Sequence, residues 1–79
     1  MLESEVINLA FDYSKLRGKI VEKYGSQAAF VEDFGISENS FSLKMNNKSR
    51  FSPDDIIKIV DMLDISKDEI GAYFFTPKV

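Results

Sequence analysis

Between Glu38 and Arg50 the chain sets Asn39, Asn46 and Asn47 beside Ser40 and Ser42, with Leu43 among them and Lys44, Lys48 and Arg50 alongside. These residue types make hydrogen bonds and ion pairs rather than break bonds. An asparagine amide presents a donor and an acceptor together and matches the two-point edge of an adenine, a serine hydroxyl serves either way, and a small apolar tip suits a thymine methyl. Lys44, Lys48 and Arg50 could bind phosphates on either side of such a reading face. Glu38 could accept from a cytosine amino group or simply stabilise a helix start. Ser37, just before it, belongs to the same group. Gln27 lies upstream, where it could reach a phosphate. Three uses are open for Leu43: a thymine contact, a protein partner, or burial. Taken singly, each asparagine and lysine is also ordinary solvated surface.

A second group, Asp54, Asp55, Asp61, Asp64, Asp68 and Glu69, resembles a carboxylate cluster for acid–base work or a hard metal. Position explains it more simply. Asp54, Asp55, Asp68 and Glu69 fall in first helical turns, where negative charge stabilises unpaired N–H groups. The chain has no histidine and no cysteine, which removes the commonest general base, thiolate metal sites and disulfides. No EF-hand spacing, glycine-rich phosphate loop or nucleophile–base pair is present. Neither an enzyme nor a cofactor or metal is expected.

The net charge of −3 argues against a nucleic-acid partner only until it is mapped along the chain. Residues 13–25 carry Lys15, Arg17, Lys19 and Lys23 against Glu22, and residues 37–50 carry Lys44, Lys48 and Arg50 against Glu38. Both termini are acidic. A bound polyanion feels charge over about 8–10 Å, so local sign outweighs the total. The acidic start Met1–Glu5 lacks the basic region and apolar core of a signal peptide, and no apolar run is long enough to span a bilayer. A cytoplasmic protein without membrane contact is expected.

Helical spacing runs nearly throughout the chain that must position these groups. Leu16, Ile20, Val21 and Tyr24 form one stripe, opened by Asp12 as N-cap and closed by Gly25. Ser26 caps a second helix in which Ala29, Phe30 and Phe34 face inward, and Gly35 stops it. Ser37 caps a third, with Phe41 and Met45 on one face, and Asn46-Asn47 make the turn that follows. Ser52-Pro53-Asp54-Asp55 opens a helix over about 53–63, with aspartate standing in for the Glu or Gln of a capping box. Ser66-Lys67-Asp68-Glu69 is a full capping box, opening a helix over about 67–74. Ile36 with Phe41, Phe51 with Ile56 and Ile65 with Ile70 are hydrophobic staples. No strand-period segment appears. One domain is expected over residues 11–79, an all-α, compact five-helix bundle, preceded by an arm or leader over residues 1–10.

Residues 27–47 thus read as helix, turn, helix. Gly35 supplies the positive φ of a steep crossing and Ile36 plugs it. Opposite Phe41 and Met45 the third helix turns out Asn39, Leu43, Asn46 and Asn47, flanked by Ser40 and Ser42.

Gln27 through Asn47, with Gly35-Ile36-Ser37 and then Ser40-Phe41-Ser42-Leu43-Lys44-Met45-Asn46-Asn47, resembles the Cro and lambda-repressor type of helix–turn–helix domain. The segment Phe11–Lys23 and the ending Tyr73–Val79 are similar to a family of short phage and prophage proteins of Gram-positive bacteria. The similarity covers about residues 11–79. It implies a lambda-repressor-like DNA-binding fold and a place in lysis–lysogeny control, as a Cro-like repressor or a modulator of the phage repressor. Lys44 stands where an apolar residue is frequent in the motif, and Val31 where alanine is common.

The first expectation is therefore a transcriptional regulator that reads double-stranded operator DNA with residues 38–47, as regulators of this motif do, usually as dimers. The alternative is an antirepressor or modulator that binds a phage repressor protein instead of DNA. It would account for the acidic total and for Leu43 on a polar face. Ile70, Tyr73, Phe74 and Phe75 offer a homodimer surface or, equally, core packing.

Overall fold

The computed structural model describes residues 10–78. Five α-helices follow one another among these residues: α1 (Ser14–Tyr24), α2 (Gln27–Phe34), α3 (Glu38–Met45), α4 (Pro53–Leu63) and α5 (Ile70–Phe74). A 3-10 turn, Lys67–Glu69, leads into α5. The all-helical, five-helix bundle expected from the apolar spacing is the architecture observed. The expected arm over residues 1–10 lies, apart from Ala10, outside the described residues.

Each boundary has a local cause. Asp12 accepts hydrogen bonds from the backbone N–H of Ser14, at 2.9 Å, and from its hydroxyl. The Asp12 carboxyl consequently titrates below its ordinary value. It acts from one residue further out than expected, because Tyr13 occupies the N-cap position and turns inward. Gly25 ends α1 at φ 85°. The Ser26 hydroxyl accepts from Ala29 N–H at 3.1 Å and opens α2. At α4 the capping box is complete: Ser52 Oγ accepts from Asp55 N–H at 3.1 Å, and Asp55 Oδ2 from Ser52 N–H at 2.9 Å. The full box expected at Ser66 does not form. The Ser66 hydroxyl instead donates to the Glu69 carboxylate at 3.3 Å, and the tight 3-10 turn moves the start of α5 to Ile70.

The core is a chain of aromatic contacts, edge-on except for the stacked pair Phe30–Phe34. Phe30 lies against Phe34 and Phe41, Phe41 against Phe51, and Phe51 against Phe74 and Tyr13, with ring centroids 5.3–5.8 Å apart. Contacts of this geometry are worth about 0.5–1.5 kcal/mol each beyond the area they bury. Leu16, Ile20, Ile59 and Leu63 fill the other side and are fully buried. Two inward assignments fail. Val21 is 47% exposed, because α1 buries only the narrower Leu16–Ile20 row. Ala29 is exposed and Val31 takes its place inside, so α2 is rotated from the expected phase.

The ends of the domain meet. Asp12 N–H donates to the Thr76 carbonyl at 2.8 Å and Lys78 N–H to the Ala10 carbonyl at 3.0 Å, an antiparallel bridge around Phe11 and Pro77. Tyr73 and Phe74 are buried and Ile70 is half-buried, so core packing consumes most of the apolar tail and leaves Phe75 outside.

Candidate functional site

The pair α2–α3 turns on Gly35, whose φ of 100° an L-residue rarely adopts. Ile36 is half-buried in the crossing, and α3 is seated by the buried Phe41 and Met45. Lys58 of α4 adds a strut that linear reading missed. Its ammonium donates to the Phe34 carbonyl at 2.6 Å and lies 4.9 Å from the centre of the Phe34 ring. The side chain thereby satisfies an open carbonyl at the end of α2. Nothing in a lysine 24 positions away in sequence marks it for this task.

On this frame Ser37, Glu38, Asn39, Leu43, Asn46, Lys48 and Arg50 are exposed, while Gln27, Ser40, Ser42, Lys44 and Asn47 are half-buried. Leu43 is 42% exposed, which removes burial from its three open uses. The exposed set forms one side of α3 and the loop after it.

Asn47 is not placed as a base reader. It sits at φ 63°, in the left-handed region, and both ends of its amide are taken. Oδ1 accepts from the Phe11 N–H at 2.9 Å, and Nδ2 donates to the Phe11 carbonyl at 3.0 Å. An amide so engaged has no free edge for an adenine.

Lys44 is not placed as a phosphate anchor either. Its ammonium donates to the Arg50 carbonyl at 3.0 Å, pairs with Asp55 at 3.3 Å and lies 5.9 Å from the centre of the Phe51 ring. The aliphatic stem lies across the aromatic core while the charged head reaches the loop, which is how lysine fits where apolar residues are frequent. Burial works against the Asp55 charge, but the Ser52 N–H and the Lys44 ammonium outweigh it and hold that carboxyl below its ordinary value.

Local bonds also occupy the remaining polar groups at the helix starts. Gln27 Nε2 donates to Glu38 Oε2 at 3.1 Å, tying the start of α2 to the start of α3. The Ser37 hydroxyl accepts from Ser40 N–H at 3.0 Å and donates to the Ser40 hydroxyl at 2.9 Å. Asn39 and Asn46 keep their amides in solvent, and the Lys48 ammonium makes no ion pair among the described residues. The face can therefore offer two amides, one leucine and few cations. That is enough for specific contact with a surface, and sparse for neutralising a polyanion.

Over residues 9–77 the chain matches the family described as "Protein of unknown function (DUF739)". Comparison with curated proteins returns no match. Among solved structures it is similar to the modulator of repression (MOR) of the temperate bacteriophage TP901-1 from Lactococcus lactis. The two are 45% identical, the match covers 82% of this chain and 88% of that one, and the TM-score is 0.74. The five helices, the Gly35 crossing and the match along nearly the whole domain lead to one conclusion: the chain belongs to the DUF739 family, a family of small phage-related proteins.

Proposed function

We propose that this protein is a non-catalytic regulator of phage type that acts by binding a repressor protein and altering that repressor's hold on its operator. The observation that carries this reading is the 45% identity to a modulator of repression over 88% of that chain. The chemistry of the helix–turn–helix face supports it. Of the residues that would grip DNA, Asn47 and Lys44 hold the protein's own backbone, and Gln27 and Glu38 hold each other. Leu43 stands in solvent among polar neighbours, a pattern suited to a protein surface more than to a phosphate-lined groove.

The test is titration of the phage repressor encoded in the same control region, with operator occupancy followed in parallel. Binding of the protein to the repressor without added DNA, together with a shift in operator affinity, is the expected result. No complex with the repressor by calorimetry at micromolar concentration would sink the reading.

Direct operator contact is the second reading. It retains the exposed amides of Asn39 and Asn46 and the exposed Lys48. Fluorescence anisotropy with control-region DNA separates the two. A DNA binder loses affinity with log salt at a slope of about −0.9 per phosphate contact. In that case Asn39→Ala should relax base preference at one position by roughly 1–3 kcal/mol, and Lys48→Ala should weaken all sequences alike.

A further inference from the structure

The outer side of α4 is unlike the rest of the surface. Ile57 is 66% exposed, the most of any large apolar residue among those described. It borders an open groove of about 480 Å³ lined by Ile57, Val60, Asp61, Asp64 and Ile65. At about 100° per residue, Asp54, Ile57, Asp61 and Asp64 lie on one side of the helix. Asp54 and Asp61 make no ion pair among the described residues. Asp64 pairs with Lys23, and Lys58, the helix's own lysine, is turned away to the Phe34 carbonyl. The groove therefore has an aliphatic floor and an acidic rim.

We propose that this groove is the docking site for the protein partner, and that the partner inserts a helix or segment with an aliphatic anchor flanked by lysine or arginine. The proposal rests on the repressor-binding reading and names the surface that performs it. Charge complementarity selects the occupant. A nucleic acid is repelled from Asp61 on the rim and Asp54 beside it, which make no ion pair among the described residues, and the same face of a second copy is repelled in the same way. A basic segment gains on both counts: its anchor covers Ile57 and Val60, and its cations meet Asp54 and Asp61. This is the helix-in-groove mode of recognition, in which apolar anchors supply affinity and flanking charges set the register.

The experiment compares the native chain with Ile57→Glu, Asp61→Lys, Ile57→Leu and, on α3, Leu43→Glu. Each is titrated into the repressor encoded in the same control region, at low and high salt, with helix content and melting checked for every variant. Ile57→Glu should weaken binding at least tenfold and Asp61→Lys at least fivefold, Ile57→Leu should bind as the native chain does, and added salt should weaken the native complex. Loss on Leu43→Glu with native binding by Ile57→Glu overturns this proposal while leaving the functional reading in place. A native chain that binds no repressor overturns both. Concentration-dependent self-association abolished by Ile57→Glu assigns the groove to a second copy and likewise overturns the proposal.

Discussion

Asn47 holds Phe11 by both backbone polar groups across 36 positions of sequence, donating to its carbonyl and accepting from its N–H. This one side chain fastens the entry of the domain to the exit of α3. The same entry segment pairs with the tail through Asp12–Thr76 and Lys78–Ala10. The end of the candidate recognition helix, the start of the domain and its last residues therefore form a single hydrogen-bonded unit.

Removing the clamp should destabilise the fold in a characteristic order. Asn47→Ala loses two hydrogen bonds and places alanine at positive φ, an expected cost of about 2–4 kcal/mol. Asn47→Gly loses the same bonds without the backbone penalty and should cost about 1–2 kcal/mol less than the alanine variant. Urea unfolding measures both. Amide exchange at Phe11 should quicken in each, and equal stability of the two variants would contradict the left-handed assignment.

The turn at Gly35 makes a second test of backbone conformation. A Cβ there meets only the Lys58 ammonium, at an ordinary contact distance of 4.0 Å, so space is not the obstacle. Gly35→Ala should nevertheless cost about 1–2 kcal/mol, because φ is 100°. Gly35→Asn should cost less, since asparagine tolerates this region better. Thermal melts of the three proteins check the order.

Acid stability should report the capping box of α4. The folded Asp55 carboxyl lies below its unfolded value of about 3.9. Its contribution is therefore fully present above that value and lost as pH falls through the folded one. Asp12 and Asp64 are shifted the same way, by Ser14 and Lys23 respectively. Unfolding free energy should stay flat with respect to these groups above about pH 5 and fall below about pH 4. In Asp55→Asn that fall should be shallower. An identical acid limb would show that the box is not formed in solution.

Two residues of α3 should behave oppositely. Phe41 is fully buried at the junction of Phe30, Phe34 and Phe51, and Phe41→Ala should cost about 3–5 kcal/mol. Leu43, 42% exposed, should tolerate serine within about 0.5 kcal/mol. Chemical denaturation of both variants gives the comparison directly.

Local chemistry determined much of this protein before any tertiary contact was known. Serine caps at 26, 37 and 52, Pro53 at the first turn of α4, and Gly25 and Gly35 at helix ends act within one turn of the chain, so they are readable in order. Phe30, Phe34 and Phe41 were equally legible, because burial follows helical spacing, whereas buried Tyr13 carried no such signal and Tyr73 and Phe74 suited a dimer surface as well as the core. Helix phase and side-chain employment were not legible. Whether Val21 or Ala29 faces inward depends on which neighbouring helix arrives and at what angle. The tasks of Asn47, Lys44 and Lys58 depend on atoms 36, 11 and 24 positions away. Polar side chains that look free in a linear reading are claimed by distant carbonyls and carboxylates once the chain closes, since a partly buried polar group without a partner is costly. The fold could be read from its caps and stripes, and only packing determined which groups of α3 and α4 are left to meet another molecule.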